Sequence, residues 1–233
     1  MTMQDIPLDG ETVPAYMAIP ASGSGHGVLV CHAWWGLNDF FKGLCDRLAS
    51  EGFLALAPDL YRGATANTIE EAERLVGELD RDVANREVRA ALDYLSQHPA
   101  ASAEHAGTVG FSLGAGFALY AARSRPKIVR AVVLFYGTGG GKYAGLEADF
   151  QGHFAESDEW EDPADVKALE QRLMGSEGEV EFYTYPATTH WFFEENRPDA
   201  YVQEAAELAW RRTVDFLRSR LADERPGFTG NQG

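Results

Sequence analysis

The sequence predicts an α/β fold, a mainly parallel central sheet flanked by helices. Three observations carry that expectation. Strand-like and helix-like segments alternate almost throughout the 233 residues. Runs at residues 27–31, 53–57 and 131–136 are apolar without alternation, as strands covered on both faces must be. Finally, Thr108-Val109-Gly110-Phe111-Ser112-Leu113-Gly114 reads as a short β-branched strand entering G-x-S-x-G, with a small-residue helix after it. That is the strand-to-helix turn of a nucleophile elbow.

The length suits a single α/β domain over residues 1–225, with a frayed tail over 226–233. Acidic side chains number 36 and basic ones 20, for a formal charge of −16. Such a surface repels nucleic acid and anionic membranes, and no basic run offsets it, so neither is an expected partner. A monomer or weak homodimer is expected. The apolar runs are far shorter than the roughly 20 residues of a membrane-spanning helix. Met1-Thr2-Met3-Gln4-Asp5 carries neither a basic segment nor an apolar signal core, which points to a cytoplasmic protein. Cys31 and Cys45 have no metal-ligand spacing and suggest no disulfide framework; Cys31 is expected to be a small core residue and Cys45 to be buried or half-buried.

Along the chain, residues 12–19 form an early strand, expected at an edge because Pro14 lacks an N–H for a ladder. The turn Ala21-Ser22-Gly23-Ser24-Gly25 leads into a central strand over 27–32. Asn38 caps a helix over 39–50, where Phe40, Leu44 and Leu48 recur at helical spacing. Glu51-Gly52 ends it, and 53–58 form the next strand. Thr68, followed by Glu70 and Glu71, begins a charged helix, and Asp82 or Asn85 opens another reaching Gln97. A helix over 115–123 follows the elbow, then a strand over 128–136. Gly137-Thr138-Gly139-Gly140-Gly141 reads as a flexible connection, because no lysine-serine pair and no helix start follow it. Strands over 150–155 and 180–185 are separated by a helix over 163–174. The last helix covers 198–221, with Val202, Ala206, Ala209, Thr213, Phe216 and Leu217 along one face.

A serine hydroxyl is a weak nucleophile at neutral pH, so it needs a base, and the base needs an orienter. With an elbow of this kind the chain order is serine, acid, histidine, each at the C-terminal end of a strand. His26, His32, His98 and His105 precede Ser112, and His153 lies inside a strand, where a packing role is expected. His190 lies on the loop after the 180–185 strand, flanked by Trp191, Phe192 and Phe193, and is the candidate base. Asp158, just past the 150–155 strand, is the candidate acid, with Glu156 second; Glu159, Glu161 and Asp162 read as a solvated cluster. An oxyanion would be received by the Leu113 N–H and by that of Trp34, in the loop His32-Ala33-Trp34-Trp35-Gly36. Trp35 and Trp191 are candidate pocket walls; of the Trp34–Trp35 pair, one is expected in the core.

With these residues in place, the chain resembles the dienelactone hydrolase family of the α/β-hydrolases over nearly its whole length. The matching segments are Val13-Pro14-Ala15-Tyr16-Met17-Ala18, residues 28–39, Ala57-Pro58-Asp59-Leu60-Tyr61, and residues 109–116, 152–158 and 201–216. The resemblance implies an α/β-hydrolase fold with a minimal lid, acting on small esters or lactones without metal or organic cofactor. By position Ser112 matches the family nucleophile, Asp158 the acid, His190 the base, and Leu113 and Trp34 the oxyanion donors. The chain departs from the best-known members in three ways. They use cysteine in the elbow, and they carry a glutamate in the first loop where this chain has Ala33; a serine served by His190 has less need of that glutamate. The arginines that hold the dienelactone carboxylate have no clear counterparts. Glu194 and Glu195 follow the histidine, with Arg197 further on and Arg74 and Arg81 as candidates on the other side, which argues against dienelactone itself as substrate. Two rival readings are a non-catalytic small-molecule binding protein of the same fold and a thioesterase. The complete serine-acid-histidine set speaks against the first.

Overall fold

The computed structural model describes residues 2–222, so the tail expected over 226–233 lies outside the described residues. The chain opens with β1 (Thr2–Leu8) and β2 (Glu11–Ala18), a hairpin. Its two-residue loop, Asp9 and Gly10, has positive φ at both positions (48° and 89°), the twist that suits a tight hairpin. Then come β3 (Gly25–Cys31), α1 (Asp39–Ser50), β4 (Leu54–Pro58), α2 (Ile69–Glu78) and α3 (Arg81–Ser96). The second half contributes β5 (Ala101–Phe111), α4 (Leu113–Ser124), β6 (Val129–Phe135), β7 (Asp149–Ala155), α5 (Pro163–Leu173), β8 (Val180–Tyr185) and α6 (Gln203–Leu221).

One eight-stranded sheet runs in the order β1-β2-β4-β3-β5-β6-β7-β8. β1, β2 and β4 pair antiparallel, and every other pairing is parallel. The expected edge position of the Pro14 strand is therefore corrected: β1 lies outside it, and Pro14 faces Asp5. Proline is tolerated there because the Pro14 carbonyl, which points the same way as its missing N–H, accepts from Asp59 N at 2.8 Å. Asp59 lies just beyond the last β2–β4 partner, so no ladder bond is lost. Two helix starts also differ. Asp80, not Asp82 or Asn85, caps α3 by accepting from the N–H groups of both Asp82 and Val83, and α6 begins at Gln203, five residues later than expected.

Side chains of β3 alternate between the two faces, as the pleat requires. Val28 and Val30 join a core with α1 and α6, while Leu29 and Cys31 join one with α3 and α4. Both cysteines are buried. After β3 the chain moves outward to β4, then returns across to β5 on the other side of β3. That reversal opens a crevice at the carboxyl ends of β3 and β5, where ligands bind in open sheets of this kind. Among the described residues no helix is long and apolar enough to cross a membrane.

Candidate active site

Ser112 sits at the crevice, between the end of β5 and the first residue of α4. Its backbone is strained, with φ 49° and ψ −114°, a region a side chain rarely occupies. The strain persists because neighbours leave no alternative. Ser112 N donates to Phe135 O at 2.9 Å, and Ala115 N returns to Ser112 O at 2.9 Å. The two motif glycines make the turn possible by close approach. A Cβ on Gly110 would stand 2.7 Å from Ala115 Cα, and one on Gly114 would overlap the Cys31 carbonyl and stand 2.6 Å from His32 O. Gly114 therefore lets α4 seat its first turn directly on the end of β3. The Leu113 N–H belongs to that first turn, whose donors point outward with the positive end of the helix dipole. The loop carrying Trp34 leaves β3 at the same place. His32 steadies it, with Nδ1 2.7 Å from Ala33 O and Nε2 accepting from Leu60 N at 3.3 Å.

The structure brings the three expected side chains together in series. His190 Nε2 is 2.9 Å from Ser112 Oγ. His190 Nδ1 is 2.9 and 2.8 Å from the two carboxylate oxygens of Asp158. The His190 and Asp158 side chains are only 4% and 6% exposed, so the pair is shielded from water. Asp158 is fixed by its own loop, its Oδ1 accepting from Trp160 N at 2.9 Å and Glu161 N at 3.0 Å. Glu156 points elsewhere, its carboxylate accepting from Ala187 N at 2.9 Å. His153 is buried inside the sheet, bonded to Tyr185, Gln151 and Thr213, and burial pushes its pKa down to about 3.

The tryptophans divide. Trp35 is buried (1% exposed), and the Arg197 guanidinium covers its ring at 3.4 Å. It therefore belongs to the core beneath the loop and not to an open wall. Trp34 is half-buried, and its ring lies 4.9 Å from Trp160 and 6.1 Å from Trp191. Trp191 also meets His190 edge-on at 5.0 Å. One indole thus comes from each of three loops: the one after β3, the acid loop and the histidine loop.

Beside the serine a cavity of about 310 Å³ is lined by Ser112 and Leu113 together with Arg81, Asn85, Tyr120, Arg123, Thr138 and Glu161. Arg81 reaches the cavity as the first residue of α3. Arg74 pairs with Glu78 on α2 and does not line this cavity. Sequence reasoning missed Arg123, eleven residues past the elbow, and treated the glycine loop as a plain connection. Thr138 of that loop bonds Glu161 through both its N–H (3.2 Å) and its hydroxyl (2.5 Å). Burial raises the Glu161 pKa, and the two Thr138 bonds oppose the shift. No sequence signal pairs these two residues, since the contact exists only once the acid loop folds over the glycine loop. Among the described residues no group of three histidine, cysteine or acidic side chains could hold a metal ion.

A mainly parallel eight-stranded sheet, covered on both faces and carrying a strained strand-to-helix turn at its switch point, is the α/β-hydrolase fold. Within that fold, the chain belongs to the dienelactone hydrolase family, whose family model matches residues 13–221. It is a hydrolase of the carboxylic ester and lactone class. A putative carboxymethylenebutenolidase of Aquifex aeolicus is 31% identical, covering 94% of this chain and 98% of the relative. A probable 2-oxo-3-(5-oxofuran-2-ylidene)propanoate lactonase of Bradyrhizobium sp is 32% identical over 97% and 96%. The crystal structure of a putative dienelactone hydrolase from Klebsiella pneumoniae aligns with a TM-score of 0.81 at 26% identity, covering 93% of this chain and 97% of that one.

Proposed function

We propose that this protein cleaves small carboxylic esters or lactones through an acyl-enzyme formed on Ser112. The observation that carries the reading is the unbroken series of hydrogen bonds from Ser112 Oγ through His190 to Asp158. Asp158 accepts from Nδ1, which leaves the Nε2 lone pair facing the serine hydroxyl. As Ser112 Oγ attacks the carbonyl carbon, Nε2 takes its proton, and Asp158 stabilises the imidazolium that forms. The carbonyl oxygen becomes an oxyanion received by the N–H groups of Leu113 and Trp34, each such donor contributing about 3 kcal/mol to the transition state. His190 then protonates the departing alkoxide and afterwards activates water against the acyl-enzyme. With a lactone the departing alkoxide stays on the acyl chain, so one product leaves.

The cavity beside Ser112 supports a small polar substrate. Arg81 and Arg123 supply two guanidinium groups on an otherwise strongly acidic protein, a lining that suits a carboxylate-bearing ester or lactone. The names of the relatives, a carboxymethylenebutenolidase and an oxofuranylidene-propanoate lactonase, agree with that class. The test is a panel of small lactones, p-nitrophenyl esters and matched thioesters, assayed with the parent and with Ser112→Ala, beside intact-mass analysis after a serine-directed phosphonate. A single adduct on Ser112 and loss of turnover in S112A are expected. Turnover that survives in S112A removes the proposed nucleophile, and a protein with neither turnover nor adduct supports the rival reading of a non-catalytic binding protein.

A further inference from the structure

The proposed chemistry has no use for Glu194, yet its position is unusual. It lies four residues after His190 on the same loop, and it is fully buried. One oxygen accepts from the Tyr136 hydroxyl at 2.9 Å, and the other has no partner among the described residues. Among the described residues no cation bonds it, and the nearby Arg197 is spread over Trp35. Tyr136 in turn packs its ring against His190, with centroids 4.9 Å apart and planes tilted by 59°. Its backbone is strained, with φ 36°, and its N–H donates to His153 O at 2.8 Å.

The geometry points to Glu194 as a positioning residue for His190, acting through the Tyr136 ring; this inference rests on the serine-hydrolase reading above. The bonds to Asp158 and Ser112 fix the imidazole at its two nitrogens, but the ring can still rock about the line joining them. Only contact with its faces and edges stops that motion, and Tyr136 supplies such a contact. Tyr136 is anchored at its backbone by His153 and at its hydroxyl by Glu194, so both ends of the ring are tied.

A glutamine would hold the same hydrogen bond, so the positioning role asks only for an acceptor at the end of a side chain of this length. Burial lifts its pKa from 4.5 to about 8, against the opposing effects of the Tyr136 hydrogen bond and the Arg197 charge. The groups facing it are Tyr136 on the end of β6 and Arg197 on its own loop, with His190 and Asp158 beyond the tyrosine. Below about pH 8 the group is a neutral acid. Glu194 thus holds the Tyr136 ring, and through it the imidazole, by accepting from the tyrosine hydroxyl.

The experiment follows the rate of phosphonate labelling at Ser112 from pH 6 to 10 in the parent, E194A, E194Q and Y136F. E194A and Y136F should label about five- to tenfold more slowly than the parent at pH 7. E194Q should recover most of that loss. Should E194A not fold, Y136F carries the positioning test alone. Parent-like rates in Y136F at pH 7, or an E194Q that labels as slowly as Y136F, overturn the inference while leaving the serine reading intact. A parent that takes no label at Ser112 overturns both.

Discussion

Replacing Asp158 by asparagine tests the proposed triad through a proton's location while leaving its shape intact. The carboxylate accepts at Oδ1 from two backbone N–H groups, those of Trp160 and Glu161. In the D158N variant that position must therefore be the amide oxygen, because an NH₂ there would face two donors. The amide nitrogen is forced into the place of Oδ2, 2.8 Å from His190 Nδ1. It donates to Nδ1, which drives the imidazole proton onto Nε2, 2.9 Å from the serine oxygen. A base that presents a proton to its nucleophile cannot accept one. The expected fall in kcat/KM at pH 7 is about 10³- to 10⁴-fold, or roughly 4–5.5 kcal/mol of transition-state stabilisation. The denaturant midpoint should move little, since every hydrogen bond keeps a partner. The assay is p-nitrophenyl ester turnover with phosphonate labelling in parallel, and both rates should fall together. Activity in D158N within tenfold of the parent would refute the tautomer argument and with it the role given to Asp158.

Three further outcomes concern stability. Gly114→Ala places a methyl group against the Cys31 and His32 carbonyls at the end of a central strand, where nothing flexible can yield. A loss of about 3 kcal/mol or more by urea unfolding is expected, together with loss of Ser112 labelling. Parent-like stability would show that the elbow is not seated on β3. His153 is buried as a neutral base, its pKa lowered from 6.5 to about 3 chiefly by burial. Its contribution is intact above pH 6.5 and falls away as the pH drops toward 3, because the unfolded chain takes up the proton first. Between pH 7 and 5 the parent should lose about 2 kcal/mol more than His153→Gln, measured as the difference in urea midpoints; equal losses would contradict it. Glu194 has the opposite pH window. Its pKa is raised, so the unfolded chain ionises above 4.5 while the folded one stays protonated to about 8, and stability declines across that interval. E194Q escapes this decline and should gain on the parent by a few kcal/mol from pH 5 to pH 8. A gap that does not widen would show the carboxyl to be ionised in the fold.

Ser112, Asp158 and His190 were legible as a set because each lies on a loop just past a strand, and chain order within an elbow fold restricts the choice. Strands β3, β4 and β6 were legible because burial on both faces leaves uninterrupted apolar runs, while the partly buried β8 was legible from its β-branched and aromatic residues. β1 was not, since only Ile6 among its seven residues is buried, so it shows no alternation to read. With β1 hidden in this way, the Pro14 strand has no visible outer neighbour in the sequence. Trp35 and Trp191 follow the same logic in reverse. Sequence says that large aromatic groups flank the site, but which one faces the core depends on Arg197 folding back across Trp35. Arg123, Thr138, Glu161 and the Tyr136–Glu194 pair were out of reach for the same reason. Each gains its meaning from a partner distant in the chain, and no local period encodes such a pairing. A carboxylate closing the apolar run Trp191-Phe192-Phe193 was the one hint at Glu194.

The three indoles, Trp34, Trp160 and Trp191, have an implication for how this catalytic face opens. Each is rooted in a different loop, and each rests on the other two. Displacing any one loop strips apolar cover from both its neighbours, so partial opening gains little over full opening. The rim should therefore behave as a single cooperative unit: amide protons of the three loops should exchange with solvent at a common rate, and one indole truncated to alanine should accelerate all three.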